Sequence, residues 1–309
     1  MRTIFVALCL VTACDRAPEP GPLTLRVTAY NVMCSFCGDG HFDAYDYDDW
    51  PTRLPHLQQQ LAAHDADLIG LQELLYTYEN PATNVRDEVA DLGGRGEVYG
   101  SIYYERDMDD PHSSMDYPDA TILYRKSMFE PVRSGHFWLS PEPDEPFSTG
   151  FDPAGQLPRI VVWAELKLLD RERSVIFATT HVDNNSPSQE LSAPLIRERM
   201  KAIAAGLPVI IVGDFNAGME HPAYEDLVGD ADWPLADTYS LTEAPRGDGP
   251  ESWVNDYPWV ERIDHIFVRP AEAFEVSDWW IDLAPYNEEG PKFASDHRPV
   301  HAEFTIKED

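Results

Sequence analysis

The sequence predicts an α+β fold, a sandwich of two β-sheets with helices on the outside. Two patterns carry this reading. Strand-like segments recur along all 309 residues. Helical periodicity is confined to a few stretches between them, too few to supply the crossovers of a doubly wound parallel sheet. The most telling strand is PVIIVGDFN, Pro208 to Asn216. Its β-branched run, Val209 to Val212, is the pattern of a strand buried on both faces. It stops at a glycine, a carboxylate, an aromatic and an amide. If the chain stays extended, Asp214 and Asn216 point the same way, which suits them to hold a water and a phosphoryl oxygen. Gly-Asp and Asn are also ordinary turn formers, so the stretch alone leaves both readings open.

Taken in order, the chain opens with Arg2 and a mostly apolar stretch, Ile4 to Ala13, too short to span a bilayer. The following Val-Thr-Ala-Cys resembles a bacterial lipobox. Residues 1–13 are therefore expected to be a lipoprotein signal, with Cys14 lipidated, and the chain exported and anchored to a bacterial membrane; an ordinary secretory signal is the alternative. Residues 14–22 read as a Pro-rich tether, and 23–309 as a single domain. Leu23–Asn31 alternates apolar and polar residues, a first strand. Residues 34–51 form an acidic, aromatic loop whose spacing matches no EF-hand. Leu54 to Ala63 carries leucines at helical spacing, and Asp67 to Gln72 is a second buried strand. A helix over 85–92 follows, then strands over 99–104, 120–124 and 136–139, with an acidic loop at 105–119. Five prolines between 141 and 158 mark a long surface loop. Ile160–Leu168 and Ser174–Thr180 form a hairpin, and 194–205 a helix with Pro194 near its start. Strands over 263–268 and 300–306 end the domain.

The charge is far from balanced: 55 acidic residues against 23 basic give a formal net charge of -32. Such a surface repels polyanions and lacks the basic footprint of nucleic-acid binders, so nucleic acid is disfavoured as a partner. Cys34 and Cys37 form a C-x-x-C. In an exported chain a disulfide is the first expectation. A zinc site needs further ligands, such as His41.

Several strands end in a polar residue: Asn31, Glu73, His181 (in THVD), and Asp214 with Asn216. Asp264 stands at the mouth of another strand, and Asp296 and His297 immediately precede the last. Each has a plain explanation as a cap or turn, but their joint occurrence does not. The ordered set Asn31, LQE at 71–73, THVD at 180–183, GDFN at 213–216, RIDHI at 262–266 and SDH at 295–297 resembles the endonuclease/exonuclease/phosphatase family. The resemblance runs from about residue 24 to 306. It implies a DNase I-like four-layer α/β/β/α sandwich and a metal-dependent phosphoric ester hydrolase.

From residue chemistry and this resemblance, Asn31, Glu73 and Asp296 are expected to hold Mg²⁺ (or Mn²⁺ or Ca²⁺). Asp214 and Asn216 would orient and activate the attacking water. Asp264 would fix the tautomer of His297 and raise its pKa, and His181 would donate to the transition-state oxyanion or leaving group. Arg159 and Asp119 are expected to bind substrate. Where many family nucleases carry an arginine two residues after the metal-binding glutamate, this chain has Leu75. Pro118 lies near the place of a supporting glutamate, where Asp119 is favoured over Asp116 as the substitute. HVDNN replaces the HLDH of many bacterial relatives. These departures leave the metal and water machinery intact but weaken a grip on a phosphate backbone. The expected activity is hydrolysis of a small or lipid-borne phosphoester by a monomer. A secreted nuclease is the alternative, and a non-catalytic binding lipoprotein is less favoured.

Overall fold

The computed structural model describes residues 21–35, 37, 47–74, 89, 91, 96–104, 120–151, 157–246, 252, 262–287 and 292–307. The signal segment, Cys14, His41, Leu75, Asp116, Pro118, Asp119 and nearly all of the helix expected at 85–92 lie outside them. The strands are β1 Leu23–Asn31, β2 Leu68–Gln72, β3 Tyr99–Tyr103, β4 Thr121–Arg125, β5 Phe129–Trp138, β6 Ile160–Leu168, β7 Ser174–His181, β8 Val209–Asp214, β9 Ala236–Asp237, β10 Asp264–Arg269, β11 Phe274–Ile281 and β12 Val300–Ile306. The helices are α1 Trp50–His64, α2 Ser188–Ala204, α3 Pro222–Gly229 and the short α4 Thr238–Leu241.

Two six-stranded sheets result, ordered β11-β12-β1-β2-β4-β3 and β5-β6-β7-β8-β10-β9. Each has a parallel pair at its centre, β1 with β2 and β7 with β8, inside otherwise antiparallel neighbours. The period of two in β8 explains its continuous apolar run. Ile210 and Val212 enter the core between the sheets, whereas Val209 and Ile211 face a second cluster with Ile196 and Met200 of α2 and Leu227 of α3. β2 divides likewise: Leu68 faces the inter-sheet core, and Ile69 and Leu71 pack on Leu57 and Leu61 of α1. The layers are therefore helix, sheet, sheet, helix, as expected.

Close approach of the sheets requires glycine at Gly70, where a Cβ would lie 2.2 Å from Val212 Cγ2. Gly213 has φ 149°, and a Cβ there would lie 2.0 Å from the Thr180 carbonyl oxygen. The glycine of GDFN is thus needed to pack β8 against β7.

The sequence reading departs from the structure at several elements. Helix α2 begins at Ser188, so Pro194 lies inside it. Its first turns bury Ser188, Gln189 and Ser192, polar residues that hid the apolar stripe. β5 is longer than the 136–139 expected because most of its first eight residues are exposed and a register shift falls between Pro131 and Arg133. β11, with its own irregularity between Val276 and Asp278, was not read as a strand.

On the outer face of β12, His301 is buried and stacks on Trp280 at 4.9 Å and on His64 at 3.5 Å between centroids. Thr28 Oγ1 lies 2.8 Å from its Nδ1. Burial, then the neighbouring His64 and Arg246, hold its pKa well below the ordinary imidazole value. A depressed histidine destabilises the fold once the unfolded chain takes up the proton, below a pH of about 6.5. Unfolding free energy is expected to fall by up to about 1.4 kcal/mol per pH unit from 6.5 toward 5 through this group. Urea titrations of the His301→Gln variant should show a flatter slope over that range. An unchanged slope would place the proton uptake elsewhere.

Candidate active site

The registers of the central strands assemble the site. Asn31 at the end of β1 pairs with Gln72, next to Glu73. His181 at the end of β7 pairs with Asp214 at the end of β8, and Asp264 at the start of β10 pairs with Asp214 from the other side. Strand ends from both sheets therefore meet at one rim of the sandwich. The loop before β12 adds Ser295, Asp296 and His297.

Asn31 joins the two sheets. Its Nδ2 donates to Glu73 Oε1 at 3.0 Å and to Asp214 Oδ2 at 3.1 Å, and lies 3.4 Å from His297 Nε2. Its Oδ1 accepts from Met33 N at 3.0 Å. A main-chain donor needs an acceptor, so this bond fixes which way the amide faces. The group turned toward the carboxylates is the NH₂, so Asn31 stands as a donor between them. Glu73 is held a second time by Cys34 N, 2.8 Å from Oε2.

Asp214 is the hub. Its Oδ2 lies 3.4 Å from His181 Nε2 and 3.6 Å from His297 Nε2, and its Oδ1 accepts from Asn216 N at 2.9 Å. Burial, with a smaller push from Asp264, raises its pKa against the two histidines. His297 Nδ1 lies 2.8 Å from Asp264 Oδ2. Burial opposes a charge on His297, but Asp264 and Asp214 outweigh it and hold its pKa well above the ordinary value. At neutral pH His297 therefore carries its proton, and Asp214 is a base stronger than a free aspartate.

Asn216 does not continue the extended strand. Its φ of 48° turns the chain, and its Nδ2 donates to Val182 O at 2.9 Å. The amide thus fastens the GDFN loop to the THVD loop instead of pointing beside Asp214. Met33, Glu73 and Asn216 all have left-handed backbones, with φ of 54°, 64° and 48°. Such conformations in non-glycine residues cost energy and concentrate at functional sites.

Of the other expected residues, Asp296 is half-buried, with Oδ1 3.4 Å from Ser295 Oγ. Arg159 is buried just before β6, at the sheet end shared with His181, and its carbonyl accepts from Leu139 N at 2.7 Å. Cys34 and Cys37 form a disulfide with a Cα separation of 5.2 Å.

Sequence reasoning missed two supports. Arg53 of α1 is fully buried, and its guanidinium donates to the carbonyls of Asp48, Val32, Met33, Cys34 and Ala294 at 2.8–3.2 Å. It ties the loop that holds Glu73 to the loop that carries Asp296 and His297. Behind β10, Asp237 pairs bidentately with Arg262 at 2.7 and 3.1 Å and lies 3.3 Å from His265 Nδ1. His265 Nε2 reaches the Ala217 carbonyl at 2.9 Å. In RIDHI, Asp264 faces the site, while the residues on either side of it in the motif anchor the wall behind. An arginine at the first turn of a helix resembles any surface charge until its partners are known, so no local signal marked Arg53.

The donor chemistry fits a hard divalent cation. Glu73, Asp214 and Asp296 are oxygen donors at one rim, and ligand atoms of Asp214, Asp264 and His297 lie within 4.8 Å of one another. Asp264 is already committed to His297, so that trio reads first as proton-handling machinery. The model of the endonuclease/exonuclease/phosphatase family matches residues 29–297, a span that includes every one of these groups.

The chain belongs to the endonuclease/exonuclease/phosphatase family. Hydrolysis of phosphoesters with a divalent metal is the activity of this family. A family protein of solved structure from Bacteroides thetaiotaomicron is 30% identical, covering 94% of this chain and all of that one (100%), with a TM-score of 0.76. A mannosyl-6-phosphatase from the same organism is 31% identical over 91% of this chain and 99% of that one, TM-score 0.73. A family protein from Bacteroides vulgatus is 24% identical over 92% and 100%, TM-score 0.76, and shares the fold. No functionally curated protein matches the chain.

Proposed function

We propose that this protein is a divalent-metal-dependent phosphoesterase that hydrolyses a small phosphoester, with sugar phosphates the first class to test. The observation that carries the reading is the convergence on Asp214 of His181, His297 and the Asn31–Glu73 bridge. The likeness to a mannosyl-6-phosphatase over nearly the whole chain supports the substrate class. The net charge of -32 argues against a nuclease. The lipobox-like segment ending at Cys14 supports export and lipid anchoring, and hence a substrate met at the cell envelope.

Glu73, with Asp296 from the loop before β12, would hold the cation. When bound, the ion would neutralise phosphoryl charge and polarise the bond to be broken. Asp214, fixed by Asn216 N, takes a proton from the attacking water. His297 enters protonated and, steadied by Asp264, donates to a phosphoryl oxygen as charge develops there. His181, on the opposite side of Asp214, donates to the oxyanion or leaving group. Arg159 would grip phosphate from the foot of β6.

The test is phosphate release from a panel of sugar phosphates, nucleotides and phospholipid head groups, with and without a chelator. Chelator-sensitive release is expected, strongest on sugar phosphates. Inertness across the panel with metal supplied would overturn the reading. Titration calorimetry with Mg²⁺ should also show that Glu73→Gln weakens binding by more than the roughly 10–100-fold lost when an outer-shell partner is removed. Unchanged affinity would remove Glu73 from the metal site.

A further inference from the structure

We propose that Cys34, Cys37 and Glu73 form a second, redox-gated metal site. It takes Zn²⁺ when the disulfide is reduced, and so withdraws Glu73 from the phosphoesterase centre. This rests on the reading of Glu73 as the carboxylate that serves that centre.

The geometry is compact. One ligand atom each from Cys34, Cys37 and Glu73 lies within 4.8 Å of the others. Cys34 N already donates to Glu73 Oε2 at 2.8 Å. Cys34 is buried, whereas Cys37 and Glu73 are half-buried, so the group can be reached from solvent. C-x-x-C is a common zinc-chelating spacing. A tetrahedral ion with Zn–S bonds of about 2.3 Å needs the two sulfurs only about 3.8 Å apart. The loop is braced for so small an opening: Cys37 N donates to Cys34 O at 3.1 Å, and Arg53 Nη2 holds the same carbonyl at 2.9 Å.

The chemistry balances. A dithiol reductant delivers two electrons and two protons to the Cys34–Cys37 bond and becomes a disulfide. Zn²⁺ then displaces the two thiol protons to solvent and binds both thiolates and the Glu73 carboxylate, with water in the fourth position. Thiolates favour Zn²⁺ over Mg²⁺ far more strongly than a lone carboxylate does. The redox state of the loop thus decides which metal Glu73 serves.

Co²⁺ is the probe, because a cobalt–thiolate bond gives a charge-transfer absorbance that carboxylate ligation does not. Protein reduced with a phosphine under inert gas should bind one equivalent of Co²⁺ with that band, displaced by Zn²⁺. Oxidised protein and the Cys37→Ser variant should lack it. Glu73→Gln should keep the band with affinity lowered at least about tenfold. Absence of the band in reduced wild type, or equal affinity in Glu73→Gln, would overturn the site. Zn²⁺ should inhibit Mg²⁺-supported turnover at much lower concentration after reduction, and equal inhibition of both redox forms would refute the gating. A protein that shows the cobalt band but hydrolyses no phosphoester would uphold the zinc site and refute the proposed function, so the two failures are distinct.

Discussion

Asp214→Asn is expected to lower kcat by about 10²–10⁴-fold, the range associated with loss of a positioned general base. The change removes the charge and the basicity while preserving the shape. An asparagine Oδ1 can still accept from Asn216 N, the bond that holds the GDFN turn at 2.9 Å. What is lost is the acceptor oxygen that takes the Asn31 Nδ2 hydrogen bond at 3.1 Å and faces His181 Nε2 at 3.4 Å and His297 Nε2 at 3.6 Å. The orphaned donors should cost about 1–3 kcal/mol of stability, and KM should move less than kcat. Steady-state kinetics beside a thermal melt separates the two effects. Activity within tenfold of wild type would show that the water is activated elsewhere, for instance by Glu73 or Asp296 alone.

The largest effect on stability is expected at Arg53. Removing the guanidinium with Arg53→Met leaves the carbonyls of Asp48, Val32, Met33, Cys34 and Ala294 without this donor in a closed interior. Each orphaned buried acceptor carries a desolvation penalty of about 1–3 kcal/mol that is not additive. Arg53→Lys should recover only part of the loss, because one ammonium cannot span five carbonyls in two loops. Urea midpoints measure this directly. A loss under about 1 kcal/mol would mean that water replaces the guanidinium. Divalent-metal affinity should fall along with stability, since the Cys34 N–H that holds Glu73 belongs to the same loop.

How much of this was legible in the sequence follows from what each residue needs as a partner. Strand ends announce themselves locally: an apolar run stops and a polar residue follows. Asn31, Glu73, His181 and Asp214 stand out this way, Asp264 opens the next strand, and their order along the chain carries the family resemblance that implies the four-layer fold. Asn216 was found but aimed wrongly, because the left-handed turn at φ 48° is a property of the folded loop. Arg53, Asp237 and His265 were not found, since their partners lie across loops and strands far apart in sequence. Helix α3 escaped because its cap is His221, whose Nδ1 accepts from Ala223 N at 3.1 Å, a residue type outside the usual capping set. The exposed first part of β5 hid all but the short strand expected at 136–139.

The central claim is that water, activated at Asp214, attacks phosphorus with a divalent metal at Glu73. It is tested most directly by incubating the purified protein with Mg²⁺ and mannose 6-phosphate, the substrate class suggested by the 31% identical mannosyl-6-phosphatase, in water labelled with heavy oxygen. Mass spectrometry should find one labelled oxygen in the released phosphate and none at C6 of the sugar, with release abolished by chelator and lowered about 10²–10⁴-fold by Asp214→Asn. Label at C6, release that survives chelator, or a fall of less than tenfold in Asp214→Asn would contradict the account.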